Sequence, residues 1–172
     1  MMSGPETLKR LALIADPDTL ARLGVDLEQL SDPDTRAEII RADHPDLDRA
    51  LRRGEDEVLV NGEPMNPRLH FAMHEIVANQ LADEDPPDVY RTARRLLDAG
   101  YHRHEVLHML AGAMSEQIHA ALTDRETYDA NSHIAALDAL PEAWEQQRPD
   151  PLAPPLNRAE RRAHPRRRRR PR

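Results

Sequence analysis

Two pairs of histidines, each spaced four residues apart, are the side chains most able to do chemistry in this chain. His70 and His74 frame the sequence HFAMH, and His104 and His108 frame HEVLH. Because four residues advance only about 40° round an α-helix, each pair projects from one helix face. Neutral imidazole is a normal ligand of zinc and also suits iron, copper and nickel. The four histidines are therefore predicted to bind a divalent transition metal, with zinc as the first candidate.

The second pair encloses a glutamate, so HEVLH also has the HExxH pattern. In hydrolases with this pattern the histidines bind zinc, and the glutamate acts as general base on a zinc-bound water. Glu105 is therefore a candidate catalytic residue. The longer metzincin pattern is absent, because Ala111 and Met114 stand where Gly and His would be needed. Two functions stay open: a metal-binding or structural/interaction module, and a zinc-dependent hydrolase. Four histidine ligands favour the module, since catalytic zinc usually keeps three protein ligands and an open position.

The helices that carry the two pairs decide whether they can meet. Asn66 can cap a helix in which Pro67 takes the first position, and this helix is predicted over residues 66–81. Two more helices are predicted over residues 87–99 and 102–122. Short connections favour antiparallel neighbours, so the three helices should run up, down and up, with the first and third parallel. Both histidine pairs then lie at the same level.

The remaining body also has helical patterns, punctuated by Asp-Pro and Ser-Asp-Pro starts. Residues 58–60 are the only predicted strand, and one strand cannot make a sheet. The fold class is therefore predicted to be all-α, as a compact helical bundle with an up-down-up core. Further helices are predicted over residues 6–15, 17–23, 33–42, 45–53 and 125–140.

Apolar residues along the two histidine-bearing helices predict the faces that form the core. At helical spacing, such stripes are most simply packing surfaces. They comprise Leu69, Met73, Ile76 and Val77 on the first helix, and Leu107, Leu110, Met114 and Ile118 on the third.

The other histidines have no comparable spacing. We expect exposed or capping roles for His44, His102, His119 and His133. Glu116 lies two turns beyond the HExxH sequence, about 12 Å along the helix axis. We expect it to support the site rather than to bind the metal.

Composition excludes several kinds of site. The 172 residues include no cysteine, which rules out disulfides, cysteine-based zinc sites, iron–sulfur clusters and a thiol nucleophile. The sequence shows neither a secretory signal nor a run of apolar residues that could span a membrane. The protein is predicted to be cytoplasmic and not a membrane protein.

Charge divides the chain into two parts. Residues 1–147 hold 14 basic and 29 acidic residues, a balance of −15, whereas residues 148–172 hold 10 arginines and 2 acids, a balance of +8. The first part is predicted to be one helical domain, with an acidic portion over residues 1–60 and a His-bearing core over 61–140. The second part is rich in Pro and Arg and is predicted to be a disordered tail.

The tail suggests partners that the body does not. Clustered arginines can bind RNA, an anionic membrane or an acidic protein without reading a sequence, and the alternatives are attraction to the acidic body or a role in solubility alone. The helices on either side of Gly100 also resemble a helix-turn-helix, but the second presents histidines and few basic or amide side chains. Sequence-specific DNA binding is not expected.

The same segments carry a family resemblance. The run GEPMNPRLHFAMHEIVANQLADEDPP, followed by RHEVLH, resembles the bacterial family catalogued as domain of unknown function 1841 over about residues 44–122. Gly112 departs from this resemblance, since we expect an acid there in many relatives. The family has no established activity, so the resemblance implies a unit of structure and names no reaction. The matching positions are Asn66, Pro67, His70, His74, Gln80, Leu81, Pro86, Pro87, His104, Glu105, His108 and Glu116.

Overall fold

A computed structural model describes residues 4–60, 63–123 and 128–147. Within these ranges the chain forms nine α-helices, one short 3-10 helix and one two-stranded sheet, which confirms the all-α prediction. The α-helices are α1 (Pro5–Ile14), α2 (Pro17–Leu23), α3 (Pro33–Asp43), α4 (Pro45–Arg52), α5 (Pro67–Asp83), α6 (Pro87–Asp98), α7 (Arg103–Thr123), α8 (Ala130–Asp138) and α9 (Glu142–Gln147). The 3-10 helix is Leu27–Ser31, and the strands are β1 (Val58–Val60) and β2 (Glu63–Met65).

Local sequence explains where the helices begin. Proline opens each of the first six α-helices, a position where its missing N–H costs nothing. The side chains of Asp16, Asp32 and Asn66 each accept a hydrogen bond from a backbone N–H in the first turn that follows. The bond from the Leu69 N–H to Asn66 Oδ1 is 3.0 Å long. The predicted start of α5 is thus confirmed, and with it the register of His70 and His74.

The prediction of a lone strand is wrong. Strand β1 pairs with β2 in an antiparallel hairpin, in which Val58 lies opposite Met65 and Leu59 lies opposite Pro64. Proline cannot donate to a strand ladder, so its presence hid the strand character of β2 in the sequence. The hairpin leads directly into α5.

Helix α5 lies at the centre of the fold and contacts α1, α3, α4, α6 and α7. Moving along α5 from His74 to Gln80, the contacts on α7 move in the same direction, from His108 to Met114. The rings of His74 and His108 lie 4.8 Å apart, and farther along the same helices Gln80 Nε2 lies 3.8 Å from Met114 Sδ. The two helices therefore run parallel, as predicted. Both also pack against α6.

The buried face of α5 differs from the predicted stripe. Leu69 is 45% exposed, whereas Phe71 is only 3% exposed and His74 only 5%. The face that packs inward follows Phe71, His74, Val77 and Leu81, so it passes through one of the histidines. A scale of apolar residues alone could not reveal this, because it counts histidine as polar. On α7, Leu107, Leu110 and Met114 are buried as predicted.

The N-terminal helices share one hydrophobic cluster with the later ones. Leu11, Ile14 and Ile39 belong to the same core cluster as Leu81 and Leu110. Arg36 is buried in this region, where its guanidinium donates to Asn79 Oδ1 and to the backbone carbonyls of Leu30 and Ser31.

The end of the described chain packs onto α6 and α7. Arg95 on α6 donates to the carbonyls of Leu137 and Leu140, at 3.0 and 2.6 Å. Helix α8 falls within the predicted segment 125–140, of which residues 125–127 lie outside the described part, and α9 was not predicted. The predicted disordered tail, residues 148–172, also lies outside it. None of the helices in the described ranges has the length and apolar character needed to cross a bilayer.

Candidate metal centre

Five histidines from three parts of the chain come together beside the N-terminal halves of α5 and α7. His44 stands at the corner between α3 and α4, His70 and His74 lie on α5, and His104 and His108 lie on α7. Ring centroids within each helical pair are 4.6 and 4.5 Å apart. The ring of His44 lies 4.7 Å from both rings on α5 and 5.0 Å from that of His104. The two predicted pairs therefore converge, and a fifth ring joins them.

Four of these rings present their nitrogens to a common point. One ring nitrogen each from His44, His70, His74 and His108 lies within 4.8 Å of the other three. Zinc–nitrogen bonds of about 2.0–2.1 Å in a tetrahedron place the ligand atoms about 3.3–3.4 Å apart. The four nitrogens are therefore already grouped, at separations that exceed those of a bound zinc by no more than about 1.5 Å.

The ring of His44 is held in one tautomer. Its Nδ1 lies 2.8 Å from the carbonyl oxygen of Ile40, one helical turn earlier. A carbonyl can only accept, so Nδ1 must carry the proton and Nε2 must carry the lone pair in the neutral ring. A backbone carbonyl on the second ring nitrogen is the usual support for a metal-binding histidine.

Three ring nitrogens in the cluster are buried without a hydrogen-bond partner in the described part of the chain. They are the Nε2 atoms of His44, His70 and His108. Leaving a buried polar atom unsatisfied costs about 1–3 kcal/mol. Several such atoms side by side are unusual in a structural core and fit a set of ligands for a cation.

The cluster favours the neutral form of its four helical histidines, and this is the form that metal binding requires. Burial, reinforced by the neighbouring imidazoles, lowers the pKa of His74 to about 2, that of His108 to about 3 and that of His70 to about 4. Partial burial and the proximity of His44 also lower the pKa of His104, although part of this residue is exposed to solvent. At neutral pH these four rings therefore carry lone pairs rather than positive charge.

The grouping differs in one member from the predicted ligand set. His70, His74 and His108 belong to it, whereas His104 lies beside it and His44 takes the fourth place. His44 does occupy the predicted capping position, since it ends α3 and precedes α4. Its ring was missed because no second histidine stands four residues away, so only the tertiary fold shows what it faces.

His102 and His133 do not belong to the cluster. His102 is exposed, as predicted, and the side chain of His119 lies outside the described residues. The prediction for His133 is wrong, because this residue is completely buried. Its Nδ1 lies 2.8 Å from the hydroxyl of Tyr128, and the two rings pack edge to face.

Glu105 hydrogen-bonds Trp144 and does not belong to the histidine cluster. Its Oε1 accepts a hydrogen bond of 3.4 Å from Trp144 Nε1 on α9. Its carboxylate is absent from the group of converging ligand atoms in the described residues. The side chain of Glu116 lies outside the described part of the chain.

Arg103, at the start of α7, contacts the α3–α4 corner on which His44 lies. Its guanidinium donates to the carbonyl of Ile14 at 3.1 Å and lies 3.5 Å from the carboxylates of both Asp16 and Asp43. Asp43 directly precedes His44, and Arg103 directly precedes His104. These contacts fix the distance between the α3–α4 corner and the histidines of α7.

The cluster lies between two cavities. On one side, an open cleft of about 650 Å³ reaches His44, His70, His104 and His108 between α4 and the β-hairpin. On the other side, a smaller cavity of about 170 Å³ is lined by His70, His74 and His108 together with Trp144. Rings of the cluster therefore form part of the wall of each cavity.

One family model matches the chain. It is described as a domain of unknown function, DUF1841, and it covers residues 22–139. The chain belongs to the DUF1841 family. The DUF1841 match is wider than the resemblance in the sequence, and it contains all five histidines of the cluster. No curated protein and no solved structure shows significant similarity to this DUF1841 chain.

Proposed function

We propose that this DUF1841 protein binds one divalent transition metal ion through His44, His70, His74 and His108. The observation that carries the proposal is the orientation of His44. Its Nδ1–H is tied to the carbonyl of Ile40, which leaves a buried Nε2 lone pair among the other unpartnered ring nitrogens. The bond to Ile40 also caps the end of α3, so the part of the arrangement that points to a cation is the buried Nε2 atom beside the other ring nitrogens.

The donor atoms favour a particular range of metals. A set made only of imidazoles suits zinc, copper, nickel and iron, whereas magnesium and calcium need oxygen ligands. Zinc is the first candidate, because it accepts four nitrogen ligands in a tetrahedron without further demands. Burial lowers the pKa values of His70, His74 and His108, which supports the proposal because protons would not compete for the nitrogens of these three rings at neutral pH.

The position of the ligands favours a metal-binding or structural/interaction module over a hydrolase. The four histidines come from the α3–α4 corner, α5 and α7, so one ion would tie three segments of the bundle together. A hydrolase needs a general base beside the metal-bound water. Glu105 instead hydrogen-bonds Trp144, and it does not line the open cleft. The zinc-dependent hydrolase is therefore our second candidate.

Metal analysis of protein purified without a histidine tag tests the proposal. We expect about one equivalent of zinc or a related metal after purification, and one-to-one binding when the metal-free protein is titrated with Zn²⁺. Mg²⁺ and Ca²⁺ should not compete at millimolar concentration, because the site offers no oxygen ligands. His102→Ala is the matched control, since this histidine is exposed and outside the cluster. Absence of binding, or equal binding of Mg²⁺, would refute the proposal.

The arginine-rich residues 148–172 carry a separate proposal. Their balance of +8 follows a body with a balance of −15. We expect this segment to bind RNA, an anionic membrane or an acidic protein by charge alone. Such binding would bring the helical domain to a partner without involving the histidines.

A further inference from the structure

The open cleft beside the histidines has the size and lining of a ligand site. Its volume of about 650 Å³ falls within the usual range of about 300–1,000 Å³ for small-molecule pockets. Histidine rings form one side of it. The opposite walls are apolar and come from α4 and the β-hairpin: Leu47, Ala50, Val58, Val60 and Met65.

The charge of the proposed centre selects the kind of group that would bind there. Four neutral imidazoles leave the charge of a divalent ion uncompensated, and a bound cation dominates the local electrostatics. The two carboxylates at the cleft already have partners, because Asp43 lies 3.5 Å from Arg103 and Asp46 is paired with Arg49. An anionic donor from outside the protein would therefore be favoured.

The cleft is poorly suited to ligands with several negative charges. Arg53 is the one cationic side chain among the lining residues of this cleft, and it is paired with Glu55 at 2.6 Å. Phosphate groups are normally held by several arginines, lysines or backbone N–H groups. A single negative charge matches the cleft better.

From these observations we infer that the cleft binds a small monocarboxylate with a short apolar body. Its carboxylate would bind the metal ion on the side open to the cleft, and the ion would change from the four-coordinate tetrahedron to five-coordination, which zinc can adopt. The apolar body would lie against Val58, Val60 and Met65. His104 lies outside the group of four nitrogens and lines the same cleft, so its ring N–H can hydrogen-bond the second carboxylate oxygen. This inference rests on the proposed metal site.

The test uses full-length protein loaded with Co²⁺, whose visible spectrum changes when a ligand joins the metal. Acetate, butyrate and hexanoate are titrated in turn, with inorganic phosphate as the multiply charged comparison. Because each buried CH₂ contributes about 0.8 kcal/mol, we expect affinity to rise about fourfold per methylene until the cleft is filled. Phosphate should perturb the spectrum more weakly than hexanoate.

Two isosteric variants test the apolar wall. Val58→Thr and Val60→Thr each replace a methyl by a hydroxyl in a strand, where threonine is readily accepted. Each should weaken hexanoate binding about fourfold and leave acetate binding unchanged. Val25→Thr is the control, because Val25 is half-buried but does not line the cleft. If a variant fails to fold, the series of acetate, butyrate and hexanoate on the unmodified protein still tests whether the apolar body of the ligand binds in the cleft.

The outcomes separate this inference from the proposed function. One equivalent of Co²⁺ with a spectrum that no carboxylate alters would overturn the inference and leave the metal site standing. Affinity that does not depend on chain length, or a preference for phosphate, would also overturn it. Failure to bind Co²⁺ or Zn²⁺ at all would overturn both.

Discussion

Replacement of His44 by alanine is the most direct test of the histidine cluster, because the sequence pattern alone would not select this residue. His44→Ala removes one of four grouped nitrogens and leaves both helical histidine pairs intact. We expect the variant to lose most of its metal affinity. His104→Ala should retain the metal, since the His104 nitrogen is not one of the four.

The expected rise in the free energy of unfolding follows from the thermodynamic linkage between metal binding and folding. Metal that binds only the folded protein raises the free energy of unfolding by about 2.7 kcal/mol when free metal is about 100 times the dissociation constant. In a domain of about 150–250 residues, each kcal/mol shifts the melting temperature by about 2–4 °C. Adding Zn²⁺ at that excess should therefore raise the melting temperature of the unmodified protein by roughly 5–11 °C.

The metal-dependent part of the shift must be separated from the effect of the substitution itself. His44→Ala also removes the hydrogen bond to Ile40, worth about 0.5–1.5 kcal/mol. Melting of each protein is therefore measured with chelator and with Zn²⁺, and the difference between the two is compared. The difference should nearly vanish in His44→Ala and persist in His102→Ala. A His44→Ala variant that keeps the full difference would refute the assignment of this ligand.

Three further predictions concern pH, Glu105 and the tail. The pKa values of His70, His74 and His108 are depressed in the folded state. Below pH 6.5 the unfolded chain therefore binds more protons than the folded protein. The free energy of unfolding of metal-free protein should fall as pH drops from 6.5 toward 4, by up to about 1.4 kcal/mol per pH unit for each histidine. Equal melting temperatures at pH 7.5 and 5 would contradict this. Glu105→Gln should keep one equivalent of metal, and a hydrolytic activity that the unmodified protein has and this variant lacks would restore the hydrolase as first candidate. Truncation after residue 147 should leave helicity and metal content unchanged while abolishing salt-sensitive binding to single-stranded RNA or anionic vesicles; binding that survives truncation would show that the helical body is responsible.

Local signals in the sequence predict the helices well, because caps and prolines act within one turn. Asn66 and Pro67 fix the start of α5, and this start alone sets the direction of His70 and His74. Strand β2 could not be predicted in the same way, because Pro64 removes the local signal and only pairing with β1 defines the strand.

The site was predictable only to the extent that it follows from helical spacing. The two pairs project from single helix faces, so their approach could be inferred once α5 and α7 were expected to run parallel. The place of His44 depends on how α3 and α4 pack against α5, which no spacing rule describes. The exposure of Leu69 and the burial of His133 likewise depend on neighbours far away in the chain.

The corner position of His44 affects how other members of the family should be compared with this one. A homologue or an engineered fragment that began with α4, at Pro45, would keep HFAMH and HEVLH, so a motif search would score it as complete. It would nevertheless lack the nitrogen that the corner supplies. Under the proposed metal site, a histidine immediately before the proline that opens α4 is a sharper criterion for selecting DUF1841 sequences to test for metal binding than the HExxH pattern itself.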